Sequence, residues 1–191
     1  MPSKYALPQA AKVRAAAQAR AVVSFRCMAR SVAQSQWLRA TLSCMFTSPI
    51  GPLRFAASDA GLTRVCFEGE PMLDDEPSAS PLATQEVTEY FAGTRQKFTV
   101  PLDLGGVTDF RAAVLRELAK IPYGETTSYA ELARAVGNPK AVRAVGSACA
   151  TNPLPLFIPC HRVLRSDGQL GGYRGGTEAK RFLLRLEGID V

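Results

Sequence analysis

The segment Asn152–Val163, NPLPLFIPCHRV, places Cys160 directly before His161, and His161 is the only histidine among 191 residues. A cysteine attacks as its thiolate, so a reactive one needs a pKa below the free value of ~8.5, which a neighbouring base can bring about. His161 is the one imidazole that can serve. Neighbouring side chains of an extended segment point to opposite sides, so a proton can pass between them only through a water molecule or a local bend. The competing reading makes Cys160 a small buried apolar residue and His161 a surface side chain. A zinc site is disfavoured, because one histidine and five cysteines without a CxxC pair offer no zinc-like ligand spacing. The odd cysteine count also argues against a disulfide framework and for a reducing compartment.

The chain is 47% hydrophobic and 21% charged, ordinary for a soluble protein with a core that needs no staples. No run approaches the ~18–20 apolar residues that span a membrane, so no membrane partner is expected. Charge is uneven. Residues 1–44 hold seven Lys/Arg and no acid, residues 45–107 carry a net −5, and residues 108–191 a net +4. An acidic polymer such as nucleic acid would therefore meet the last part.

Three segments must position the Cys-His pair. Residues 1–42 form a basic extension rich in Ala and Arg, readable as a flexible or helical tail, an unused upstream start before Met45, or an organelle transit peptide. Residues 43–105 read as a small α/β unit. It has three antiparallel strands in CMFTSPIGPLRFAASDAGLTRVCFEG, a polar loop in PMLDDEPSAS, a helix in SPLATQEVTEYFAG and a further strand in KFTVPLDL. Residues 106–191 turn helical. TDFRAAVLRELAKI puts Phe110, Val114, Leu115 and Leu118 on one face, capped by Thr108 or Asp109. TTSYAELARAVG is capped by Thr127 or Ser128 and stopped by Gly137. PKAVRAVGSACAT follows, with Pro139 in its first turn. Two short helices about a Gly-Asn-Pro turn are a helix-turn-helix signature. The second helix carries the small residues Ala141, Ala144, Gly146, Ser147, Ala148 and Ala150, with Arg143 as its one long side chain. Such a face admits a close backbone or ligand, or else packs tightly on another helix.

IPCHRV, with RAVGSACATNPLP before it and GGYRGG after it, resembles the O6-alkylguanine–DNA alkyltransferases. IPYGETTSYAELA, GNPKAVRAVG, KRFLLRLEG and the earlier TSPIGPLRFAAS carry the same likeness, which covers about residues 45–190. The resemblance implies a ribonuclease-H-like α/β domain followed by a winged helix-turn-helix domain that holds the cysteine. It implies direct DNA repair without a cofactor or metal. A monomer in the cytoplasm would bind double-stranded DNA, flip out O6-alkylguanine (O4-alkylthymine being a second candidate), and take the alkyl group irreversibly onto its own cysteine. Roles follow by resemblance. Cys160 is the acceptor, His161 its base through water, Glu187 the group that orients His161, and Tyr129 the proton donor to the leaving guanine. Arg143 fills the vacated base stack, while Ala141, Ala144 and Gly146 lie against the DNA. Asn152, Pro155, Tyr173, Arg174 and Cys149 shape the guanine pocket. Arg174 departs from the small residue common at its position, and Cys149 from a larger one. Three alternatives remain at this stage: a repair adapter that binds alkylated DNA without transfer, a Cys-His hydrolase, and a transcription factor that uses the helix-turn-helix alone.

Overall fold

The computed structural model describes residues 45–71 and 80–191, so the basic extension and most of the PMLDDEPSAS loop lie outside the described residues. The first unit opens with an antiparallel sheet of β1 (Phe46–Ser48), β2 (Gly51–Ser58) and β3 (Gly61–Phe67), in the order β1-β2-β3. Leu53 faces Phe67 and Phe55 faces Val65 across the ladder, and all four are buried. Helix α1 (Pro81–Phe91) adds Ala83, Val87, Tyr90 and Phe91 to the apolar core that the sheet also enters. Ser80 caps it by accepting from the Ala83 amide, Pro81 sits at its first position, and Gly93 ends it with a φ of 72°.

The strand expected in KFTVPLDL does not form; only a bridge between Leu62 and Leu102 is present. The reason is a buried carboxylate. Glu86 on α1 accepts from the amides of Thr99 and Val100, so these donors leave no ladder to build, and Pro101 has no amide to donate.

The second unit begins with α2 (Asp109–Leu118), whose Val114, Leu115 and Leu118 are fully buried. Phe110 departs from the expected face and is 36% exposed in the first turn, and Thr108 occupies the cap position without a side-chain bond. β4 (Thr127–Ser128) leads directly into α3 (Tyr129–Ala135), which Ser128 and Glu131 close with a reciprocal capping box. Helix α4 (Val142–Ala150) starts later than expected. Ala141 donates back to the Asn138 carbonyl, so Pro139 belongs to a turn rather than to the helix, and Ala141 is the cap. A single helical turn, Cys160–Arg162, precedes β5 (Val163–Leu164), and α5 (Thr177–Leu186) closes the chain.

One continuous apolar core joins the two units. Phe157, in the segment before Cys160, packs 4.6 Å from Phe98 and 6.1 Å from Phe55, measured between ring centroids. None of the helices described is long and apolar enough to cross a membrane.

Candidate active site

The cysteine segment is shaped by Asn152. Its side-chain oxygen accepts from the Leu154 amide at 3.0 Å, and its amide group donates to the Ile158 carbonyl at 2.8 Å and to Cys160 Sγ at 3.2 Å. One buried side chain thus ties both ends of the Pro-rich loop to the sulfur. Leu156 inside that loop has a φ of 76°. A residue with a β-carbon adopts this left-handed conformation at a cost of ~1–3 kcal/mol, sustained only where the surroundings enforce it. Here the Ile158-to-Leu154 backbone bond and full burial of Leu156 enforce it.

The helical turn at Cys160–Arg162 supplies the local bend that an adjacent Cys-His pair requires. His161 is not a surface residue: its side chain is completely buried. Its Nε2 lies 3.0 Å from Glu187 Oε1. Burial alone would raise the Glu187 carboxyl, but His161 and Arg162 outweigh burial and hold it at about 2. Glu187 is therefore an ionised, acceptor-only group, so Nε2 carries the ring proton and Nδ1 is left as the acceptor. Burial lowers the His161 pKa, opposed by Glu187, so the neutral imidazole dominates at neutral pH. Nδ1 and the Tyr173 hydroxyl are buried atoms without hydrogen-bond partners, and the two rings meet edge-on with centroids 6.3 Å apart.

The expected low thiol pKa is corrected by the structure. Cys160 is 4% exposed, and this burial raises its pKa despite the Asn152 bond and the charge of Lys180. The resting group is a thiol rather than a thiolate.

Glu187 gathers more donors than the sequence suggested. Arg162 donates from Nε to Oε2 and from Nη2 to Oε1, each at 2.8 Å, and the Gly124 amide reaches Oε2 at 3.3 Å. Tyr90, on α1 of the first unit, donates to Oε1 at 2.6 Å. Arg162 stands beside the Cys-His pair in the motif and could have been suspected from it; Tyr90 carried no local signal.

Tyr129 reaches the site through topology. β4 pairs in parallel with β5, Thr127 against Val163 and Ser128 against Leu164, which ties the start of α3 to the strand that follows the Cys160 turn. Burial, then the nearby Cys149 and Cys160, push its hydroxyl up to about 12, so it stays protonated. A side chain at Gly171 would collide with that hydroxyl, which explains a glycine in the loop opposite. Pro155 is buried with the loop, and Cys149 is buried on the inner face of α4 with its thiol raised to about 12 by burial first and Cys160 second.

The guanidinium of Arg174, expected at the guanine pocket, is engaged by protein groups. It grips Glu70 at 2.6 and 2.7 Å and donates to the Val65 and Asn152 carbonyls at 2.8 Å. The residue instead clips the Tyr173 loop and the Asn152 turn to the end of β3. The Val65 amide donates to the Pro153 carbonyl at 2.8 Å, and Phe67 meets Tyr173 edge-on at 5.8 Å, on the same seam.

On α4, Val145, Ala148 and Cys149 point inward, while Val142, Arg143, Ala144, Ser147 and Ala150 are exposed. Ala148 thus leaves the expected outer face, and Ala141 and Gly146 are half-buried at its edge. The exposed face is small apart from Val142 and Arg143.

Fold and site define a two-domain protein whose helix-turn-helix half buries a Cys-His-Glu constellation. Two family models match the chain: "6-O-methylguanine DNA methyltransferase, ribonuclease-like domain" over residues 43–104 and "6-O-methylguanine DNA methyltransferase, DNA binding domain" over residues 109–189. The constitutive methylated-DNA–protein-cysteine methyltransferase of Bacillus subtilis is 44% identical over 155 residues, 75% of this chain and 93% of the relative. That of Methanosarcina acetivorans is 42% identical, covering 75% and 96%. Among solved structures, the Mycobacterium tuberculosis OGT in complex with DNA superposes with a TM-score of 0.71 at 44% identity, covering 75% of this chain and 91% of that one. The chain belongs to the family of methylated-DNA–protein-cysteine methyltransferases.

Proposed function

We propose that this protein repairs DNA by taking the alkyl group of O6-alkylguanine onto Cys160, once per molecule. The observation that carries the reading is the buried His161, held by an ionised Glu187 with Nδ1 free to accept, next to a neutral Cys160 thiol. As the alkyl carbon approaches, the thiol proton passes through a water molecule to His161 Nδ1. Sγ then bonds to the carbon, the C–O6 bond breaks, and its electrons return to the guanine ring. Tyr129 donates a proton to the departing base, and the proton taken by His161 restores the balance. The products are unmodified guanine and S-alkyl-Cys160. Asn152 positions the sulfur, while Pro155, Tyr173 and Cys149 bound the guanine slot. The free state of the buried cysteines supports work in a reducing compartment that holds the DNA, the cytoplasm in a cell without a nucleus.

The reaction needs the base outside the duplex, at a cost of a few kcal/mol for unstacking. The exposed small face of α4 supports close approach to the groove, with Arg143 stacking into the gap and Ala141, Ala144 and Gly146 against the DNA. Intact mass before and after exposure to a short duplex containing O6-methylguanine tests the proposal: a gain of one methyl group is expected, and no gain supports a binding-only adapter instead.

Arg143→Ala is expected to slow repair of duplex substrate by about 10–100-fold, the equivalent of losing ~1–3 kcal/mol of stacking. Transfer from free O6-benzylguanine, which needs no flipping, should change little. Equal losses on both substrates would remove Arg143 from that role.

A further inference from the structure

We propose that Tyr90 of the first domain is a positioning residue of the transfer site, setting the basicity of His161 through the Glu187 oxygen that the two side chains share. The inference rests on the reading of His161 as the base. Tyr90 Oη and His161 Nε2 both reach Glu187 Oε1, at 2.6 and 3.0 Å, and all three side chains are buried. The Tyr90 ring is held by Phe91, Phe98 and Tyr123, with centroids 5.6, 5.3 and 6.1 Å away. A phenylalanine would meet those packing needs. The hydroxyl adds only one thing, a strong donor to an ionised oxygen.

The electrostatic consequence has a sign. Negative charge on Oε1 stabilises a protonated imidazole. A second donor on the same oxygen takes up part of that charge, so Tyr90 keeps His161 less basic and neutral. The other groups around the pair are accounted for. Arg162, on the helical turn, spreads the Glu187 charge further and disfavours the imidazolium, as does Lys180 on α5. The Gly124 amide sits on Oε2. Tyr123 donates to the Leu186 carbonyl, and Tyr173 presents its ring edge-on to His161. Among these, Tyr90 is the one hydroxyl donor to Glu187, and it comes from a domain that contributes no reacting atom.

His161 is the only histidine of the chain, so in a protein without a histidine tag its ring signals need no assignment. The test is NMR titration of that ring in the full-length protein and in Tyr90→Phe, alongside the pH dependence of transfer from O6-benzylguanine and duplex affinity. In Tyr90→Phe the imidazole should gain its proton at a pH higher by about half to one unit, a part of what one charge-assisted bond contributes. The acid limb of the transfer rate should move the same way, with duplex affinity unchanged. An unmoved titration in a folded variant overturns the inference. So does a loss of stability and rate with the titration in place, which would make Tyr90 a packing residue only. If the wild-type protein gains no alkyl group, the transfer reading falls while the titration still decides this one.

Discussion

Cys160→Ser is expected to bind alkylated duplex normally and to transfer nothing, a rate loss of more than about 10⁴-fold, as for other removed nucleophiles. Serine keeps the Asn152 bond and the fold, but its hydroxyl holds its proton far more tightly than a thiol does. His161, lowered by burial, is too weak a base to remove it. The wild-type protein should stop at one lesion per molecule. An S-alkyl thioether is a poor leaving group, unlike the thioester that a Cys-His hydrolase must clear, and nothing His161 does can make water displace sulfur from an alkyl carbon. The alkylated protein should also be less stable. Cys160 is fully packed, and an added methyl strains its surroundings by ~1–3 kcal/mol. Thermal melting of the methylated form a few degrees below the free form would show this. Many lesions repaired per protein, with unmodified Cys160 recovered, would sink the single-turnover reading and revive the hydrolase.

Glu187→Gln should be the most destabilising single substitution in the site, by about 3–5 kcal/mol, because it leaves the buried Arg162 guanidinium without its counter-charge. Transfer should fall with it by about 10²–10⁴-fold, the range for losing a working general base, as His161 loses its orienting partner. Acid sensitivity tests the same carboxylate without a mutation. Its pKa is about 2 in the folded protein against an ordinary 4.5, so the unfolded chain takes up a proton first as pH falls. The ionised pair contributes stability above pH ~4.5 that is lost as pH drops towards 2, on the order of 3 kcal/mol. His161, also lowered, acts in the same direction from higher pH: the unfolded chain protonates first there too. Denaturant midpoints measured from pH 7 to pH 3 should fall steadily in the wild type and less steeply in Glu187→Gln. A flat wild-type profile would contradict the buried ion pair.

Short-range features were legible in the chain itself. The Ser128–Glu131 capping box, the Ser80–Pro81 helix start, the Gly137 stop and the three-stranded meander are decided within a few residues, by side chains bonding neighbouring amides and by glycines that accept positive φ. Pairing Cys160 with the only histidine was equally open to a reader of residues. Where that reading failed, the deciding partner was distant. KFTVPLDL looks like a strand, but Glu86, on the preceding helix, takes its amides. Arg174 sits in the pocket loop, yet Glu70, 104 positions away, turns it into a clip between the domains. Local chemistry suggested a lowered Cys160 pKa, whereas burial by the folded loop raises it. Tyr90 stands 97 positions before Glu187, and nothing in YFAG says that its hydroxyl meets the Glu187 carboxylate. The sequence by itself determined which groups can react and how each element begins and ends, because those depend on atoms a few bonds apart. Tertiary structure alone decided which charges are paired, which proton each group holds and which domain supplies the donor, because burial and Coulomb energy depend on distances in space that chain order does not set.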